Sequence, residues 1–459
     1  MVQTPSSPSS PPSDPGGRSG AGTTLRRRTI VLLALALTVA APAGVLRALC
    51  AGRSCDEPAT AAASVPFCSL PEGMRSRLAA GFRESRSPDV LGVTSEEAVV
   101  GSEDGASPWP SLQATDARIP IVFAGKGVSG APVRQGTALD DVAPTVERII
   151  GVDRPHPEVR SGRPVAGVAS DGPPRLVLEV VWKSVGSEAL EANRGAWPYL
   201  SRLMEGGSAT MGAAVGSLPL DPAATLTTLG TGGLPRQHGI TGELVYNDLG
   251  RVVRAWGRRA PPSVIATLAD DLDETLGGRP RIGLVGTETS DRGLIGGHWY
   301  ADVDRDDFLL HSGPASAAAA AARLLGTGYG SDSTPDLLGM VLEGRTRAMD
   351  GALRRVVEAA SKAAGGSLTT VVTATGPRAQ QASIPARRVE DAVEKKVPGG
   401  KPVVEATAAG GLFLDQEAMA QRQLPQERVV GALLSTRRAG GRIFADAFPK
   451  IAVTFARYC

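Results

Sequence analysis

The chain has 459 residues, a formal net charge of +2, 42% hydrophobic residues and 21% charged ones. So even a charge balance excludes the basic surface of a nucleic-acid binder, and so high an apolar content excludes a wholly disordered chain. The length is sufficient for one large core or two smaller ones.

Residues 1–25 are rich in Pro, Ser and Gly and nearly lack large apolar side chains, so they read as a disordered cytoplasmic tail. Arg26, Arg27 and Arg28 then abut the apolar run Thr29–Leu46. Residues 26–47 therefore read as a signal anchor or a signal peptide. Ala41-Pro42-Ala43 fits a cleavage site, whereas the long preceding tail and a run of about 18 residues fit a membrane anchor. Positive charge ahead of the run directs the rest of the chain out of the cytoplasm, either held at the membrane by that helix or secreted. Four cysteines in such a compartment, Cys50, Cys55, Cys68 and Cys459, read as disulfides. Residues 48–66 read as a linker.

The segment 67–165 holds strand-like runs at Pro88–Val93 and Ile119–Gly125 and a helical run at Val142–Ile150. Asp141 and Pro144 sit where a helix start favours them. In the segment 174–459, strands are expected at Leu176–Trp182, Ile282–Val285, Leu337–Leu342 and Leu368–Thr373. Helices are expected between them at Trp197–Met204, Val264–Leu272, Ala315–Leu325 and Arg345–Ala364. Apolar strands alternating with helices predict an α/β fold, a three-layer α/β/α domain with a mainly parallel central sheet, spanning 67–459 as one globular unit.

The stretch Gly216–Gly242 carries the most specific pattern. Small and hydroxyl-bearing residues run from Ala224 to Gly232, followed by Leu234–Ile240, which reads Leu-Pro-Arg-Gln-His-Gly-Ile. It resembles the signature loop of type I phosphodiesterases and nucleotide pyrophosphatases of the alkaline phosphatase superfamily. In that family a Thr opens the loop as the nucleophile, held against two metal ions. Counting back from Thr231 and Gly232 puts Pro222 in that place, and proline has no nucleophilic oxygen.

A second stretch, Ile119–Val128 followed by Leu139–Thr145, resembles the section that closes alkaline-phosphatase-like chains. Here it precedes Pro174–Val181, which is similar to their first strand. The resemblance implies a circularly permuted order, a rearrangement tolerated when chain ends lie close together. It also implies a disulfide between Cys68 and Cys459 across the permutation cut, leaving Cys50 to pair with Cys55. Thr231, Gly232, His238, Gly239, Asp141, Pro144 and Thr145 would then be retained for architecture.

The same resemblance implies metal ligands, commonly for zinc, at the ends of parallel strands. Trp182 and Lys183 stand where the first strand should end in Asp-Gly, and alternation leaves Glu179 in mid-strand. Ala374 and Thr375 replace a later Asp-His pair, and no His follows the Pro335–Leu342 strand. The chain has only four histidines, His156, His238, His298 and His311. Asp307 and His311, four apart and so on one face if helical, are the metal-ligand candidates. Thr225 and Thr228, with Ser217 and Thr227 nearby, are the substitute hydroxyls. No P-loop, Rossmann or Ser-His-Asp pattern occurs.

The expectation is an extracytoplasmic pseudo-phosphodiesterase of the cell envelope with a binding or scaffolding role toward an unidentified ligand or protein. No cofactor is expected. The alternative is an active phosphodiesterase or phosphatase using zinc or another divalent metal at a rearranged site.

Overall fold

The sequence predicts four parallel strands, and the fold builds on them a sheet of seven. They are β1 (Arg118–Gly125), β2 (Leu176–Trp182), β3 (Ser208–Ala214), β4 (Ile282–Gly286), β5 (Asp307–Leu310), β6 (Asp336–Leu342) and β7 (Leu368–Ala374). This is a computed structural model, and it describes residues 67–95, 99–101, 109–112, 117–297, 299–300, 305–377, 383–438, 441–456 and 459. The apolar run 29–46, Cys50, Cys55 and His298 lie outside the described residues. Among the described residues no helix is long and apolar enough to cross a membrane.

The strand order is β3-β1-β7-β2-β6-β4-β5. From β7 to β5 every pair is parallel, while β1 is antiparallel to both of its neighbours. Every residue of β2, β6 and β7 is buried, because helices cover both faces of the sheet. That is why these strands read as unbroken apolar runs. Their alternation assigns the two helical layers. Leu176 points toward Ala364 and the helix Thr346–Ala363, which packs with Pro198–Gly206 and Pro314–Leu325. Gly339, level with Glu179 on β2, faces Leu294 instead. On that side the turn Thr289–Leu294 packs on the helix Pro222–Thr231, which in turn meets Val142–Ile150 and Leu268–Thr275.

A second, antiparallel sheet runs Val404–Ala408, Gly411–Leu414, Val90–Thr94, Phe444–Pro449. It buries Leu412 and Phe444 against Val393 and Val429 from the helices Ala386–Lys396 and Gln426–Leu434. The first segment thus supplies one strand to each sheet. Cys68 and Cys459 form a disulfide, their Cα atoms 5.1 Å apart.

Two elements differ from the sequence reading. The helix expected at Val264–Leu272 spans Leu268–Thr275, because Thr267 caps it: Thr267 Oγ1 accepts from Asp270 N at 3.2 Å and Asp270 Oδ2 accepts from Thr267 N at 2.8 Å. Asp307–Leu310 is not helical but the edge strand β5, paired in parallel with β4.

Candidate functional site

In open parallel sheets ligands bind beyond the carboxyl ends of the strands. β2, β6 and β7 end level at Trp182, Leu342 and Ala374, and the chain continues there into Lys183, Glu343 and Thr375. Lys183 N donates to Leu342 O at 2.8 Å, and Thr375 Oγ1 accepts from Ser184 N at 2.9 Å. β4 ends one position before Thr287.

The Gly216–Gly242 stretch lies against this edge, with Leu220 beside Gly376. Pro222 is the first residue of the helix Pro222–Thr231, a position where its missing N–H is no loss. The Asp221 carboxylate caps that helix, accepting from Ala223 N at 2.9 Å. The substitute hydroxyls are all buried. Thr225 Oγ1 donates to the backbone oxygens of Asp221 and Pro222, and Thr227 Oγ1 donates to Ala223 O at 2.8 Å. Ser217 Oγ, also buried, has no hydrogen-bond partner among the described residues.

His238 is completely buried. Its Nδ1 accepts from Ile240 N at 3.1 Å, so Nε2 carries the proton and donates to Thr228 Oγ1 at 3.0 Å. Burial, assisted by the Arg83 guanidinium, pushes its pKa down to about 3, so the ring is neutral. The remaining motif residues gather at the far end of the same helix. Gly232 closes it in the left-handed region at φ 74°, and a Cβ there would sit 3.0 Å from Pro144 Cδ. Thr145 Oγ1 donates to Asp141 O at 2.6 Å, and Gly239 closes the next helical turn at φ 82°.

The polar centre of this edge is Lys183, which sequence reasoning placed only as a misfit. Its side chain is 6% exposed, and its ammonium meets the Glu288 carboxylate, Asp291 Oδ1 at 3.1 Å and Thr287 Oγ1 at 3.1 Å. Burial works against the charge, but Asp291 and Glu288 outweigh it and hold the lysine above its ordinary range. Asp291 is itself locked: Oδ2 accepts from Thr287 N at 2.6 Å, Thr287 Oγ1 at 2.7 Å and Glu288 N at 3.2 Å. Glu243, paired with Arg254, lies within electrostatic reach of Asp221 and Glu288; burial and then Asp221 raise its pKa. The sequence signal for this cluster was present. Thr287, Glu288 and Asp291 directly follow an apolar strand, at the end where such folds place ligands.

Asp307 and His311 do not come together. Four positions along a strand separate residues by about 13 Å, too far to share one ion. Asp307 Oδ2 accepts from Tyr329 OH at 2.9 Å, and His311 Nε2 donates to Val341 O at 2.7 Å while Nδ1 accepts from Gly313 N. His156 is on the surface beside Glu158. Among the described residues no group of three or more His, Cys, Asp or Glu could hold a metal ion. Among the described residues the two-metal ligand set that the resemblance implies is not assembled: where it would place a carboxylate after β2, Lys183 presents an ammonium.

The fold and this edge define a mixed α/β protein with a polar cluster at the carboxyl ends of a mostly parallel sheet. No family profile matches the chain. A calcium-transporting ATPase of Myroides odoratus is 31% identical over 98 residues, which is 21% of this chain and 18% of that protein. Among solved structures, alkaline phosphatase PafA is similar with a TM-score of 0.42 and 11% identity, over 58% of this chain and 77% of that one. Phosphonoacetate hydrolase from Sinorhizobium meliloti 1021 is similar with a TM-score of 0.33 and 15% identity, over 60% of this chain and 80% of that one.

Proposed function

We propose that this is an extracytoplasmic, catalytically degenerate pseudo-phosphodiesterase that binds a ligand or scaffolds a partner in the cell envelope. The observation that carries the reading is Lys183. A metal-assisted phosphoryl hydrolase needs carboxylates free to hold cations and an oxygen nucleophile beside them. Here Asp291 and Glu288 hold an ammonium, and the loop position of the nucleophile is the first residue of a helix. Among the described residues the Thr225 and Thr228 hydroxyls have no base free to activate them: Thr225 bonds backbone oxygens, and the His238 Nε2 that faces Thr228 already carries a proton because Nδ1 accepts from Ile240 N.

The same proposal includes a permuted chain order. The Cys68–Cys459 bridge and the pairing of Val90–Thr94 with Phe444–Pro449 both support it, because they bring the first and last described segments side by side.

Purified exported protein, assayed on a nitrophenyl phosphodiester with and without added zinc or manganese, tests the reading. The expected result is no metal-dependent turnover and no stoichiometric metal in the protein. Turnover that follows bound metal and is abolished by a chelator establishes the active phosphodiesterase instead.

A further inference from the structure

We propose that the cavity between the end of the helix Ala386–Lys396 and the start of the helix Gln426–Leu434 is a binding site for a small organic phosphate monoester. It shares no residue with the sheet edge around Lys183, and it stands whether or not the protein hydrolyses phosphodiesters.

Local structure builds the cavity. The helix Ala386–Lys396 ends at Val397, whose side chain is buried, and Pro398 turns the chain away. Across from it the helix Gln416–Gln421 stops and the chain reverses at Gln423, φ 46°, where Leu424 N donates to Met419 O at 3.0 Å. Arg422 ties the two walls together: Nη1 donates to Lys401 O at 2.9 Å and Nη2 donates to Val397 O. The space they enclose is about 460 Å³. That falls within the range of small-molecule sites, about 300–1,000 Å³.

Charge selects the occupant. Lys396, Arg422 and Arg428 line the cavity, and no carboxylate does among the described residues. Glu394, the acid beside Arg422, is already engaged. Its Oε2 lies 3.9 Å from Arg422 Nη1, while Oε1 accepts from Val403 N at 2.6 Å and Val404 N at 2.9 Å. Lys396 and Arg428 are exposed, and neither side chain has an ion pair or hydrogen bond among the described residues. An anion that enters therefore meets three cations without displacing an internal carboxylate. The double charge of a phosphate monoester answers three cations better than a single carboxylate does, and a guanidinium offers it two parallel N–H bonds. Val397, Pro398 and Leu424 complete the lining with apolar surface, which a short aliphatic ester group covers.

The test titrates the exported chain with n-butyl phosphate, inorganic phosphate and butyrate by calorimetry, and maps lysine acetylation by mass spectrometry. n-Butyl phosphate should bind once per chain, more tightly than either of the others, and should protect Lys396 but not Lys395 from acetylation. Lys396→Ala and Arg428→Ala should each weaken it about tenfold, a loss typical of one charged hydrogen bond. Both side chains are exposed, so neither variant should disturb the fold. Lys395→Ala, outside the cavity, should change nothing, and Leu424→Ser should remove the advantage over inorganic phosphate. The proposal is overturned if n-butyl phosphate shows no saturable binding at millimolar concentration. It is overturned equally if the two alanine variants bind as wild type does, if Lys395→Ala weakens binding as much as they do, or if butyrate matches the phosphate. Sedimentation with phosphatidic acid vesicles that Arg428→Ala abolishes would assign the cavity to a lipid headgroup and overturn the small-molecule site. Hydrolysis of a phosphodiester by wild type would sink the pseudoenzyme reading without touching these outcomes.

Discussion

Asp291 Oδ1 lies 3.1 Å from the Lys183 ammonium, joining the turn after β4 to the end of β2 through a pair in which the aspartate is wholly buried. The two partners are not equivalent. Asp291 also accepts from Thr287 N, Thr287 Oγ1 and Glu288 N, so Asp291→Ala strands a buried ammonium and three further donors. It should cost about 3–5 kcal/mol. Lys183→Met keeps the apolar stem and leaves Asp291 with its other donors, and half-exposed Glu288 can turn to water. About 1–3 kcal/mol is expected. Urea denaturation midpoints check the order; equal losses for both variants would mean that Asp291 does not organise the turn.

Thr228 and His238 make a second internal pair with a calculable consequence. The imidazole is neutral and has no access to water, so Thr228→Val leaves the Nε2 proton without an acceptor. The loss should be about 1–3 kcal/mol in chemical denaturation, while the secondary structure seen by circular dichroism is kept. A Thr228→Val variant as stable as wild type would show that His238 is held by its Nδ1 bond to Ile240 alone.

How far the sequence reaches is visible in these same residues. β2, β6 and β7 are legible because burial on both faces leaves continuous apolar runs, and the Gly232 and Gly239 positions are legible because helix ends there need the left-handed conformation. β3, Ser-Ala-Thr-Met-Gly-Ala-Ala, escapes because it is an edge strand of small residues with no apolar run. Asp307–Leu310 was read with helical spacing, since four residues are too few to show a period and its partner strand decides its state. The Lys183 cluster is legible only on one side, as polar residues following the β4 strand, and its pairing with Lys183 is not legible at all. Its members are about 100 positions apart, and only the parallel register of β2, β6 and β4 brings the two strand ends together.

The Cys68–Cys459 bridge spans 391 positions and ties the start of the described chain to its end. Closing so long a loop removes much freedom from the unfolded chain, and about 2–5 kcal/mol of stability is expected from it. Cys68→Ser with Cys459→Ser should lower the melting temperature, and reductant should do the same to wild type but not to the double variant. The first residues to loosen should be the apolar cluster of Phe67, Met74, Leu218 and Val453, observed as faster amide exchange there than in β2. Free thiols at both positions in non-reducing peptide mapping would remove the bridge and this prediction with it.

Glu179 supplies a pH dependence with a definite sign. It sits in mid-strand on β2, and burial pushes its pKa up from 4.5 to about 8, with the Arg154 guanidinium pulling the other way. The folded chain therefore keeps a proton on this carboxyl between those two values while the unfolded chain has released it. Stability from this group falls as pH rises through that window, by about 1.4 kcal/mol per unit, and levels off above it. His238 acts in the opposite direction at lower pH: its folded pKa of about 3 lies below the ordinary 6.5, so stability is lost as pH falls between them. Comparing wild type with Glu179→Gln isolates the carboxyl, because the imidazole contributes equally to both. The glutamine resembles the protonated acid, so the two proteins should be closely matched near pH 4.5. The variant should then become progressively more stable than wild type toward pH 8 in urea denaturation. Parallel stability profiles across that range would show that the Glu179 carboxyl ionises in the folded protein as readily as in the unfolded chain.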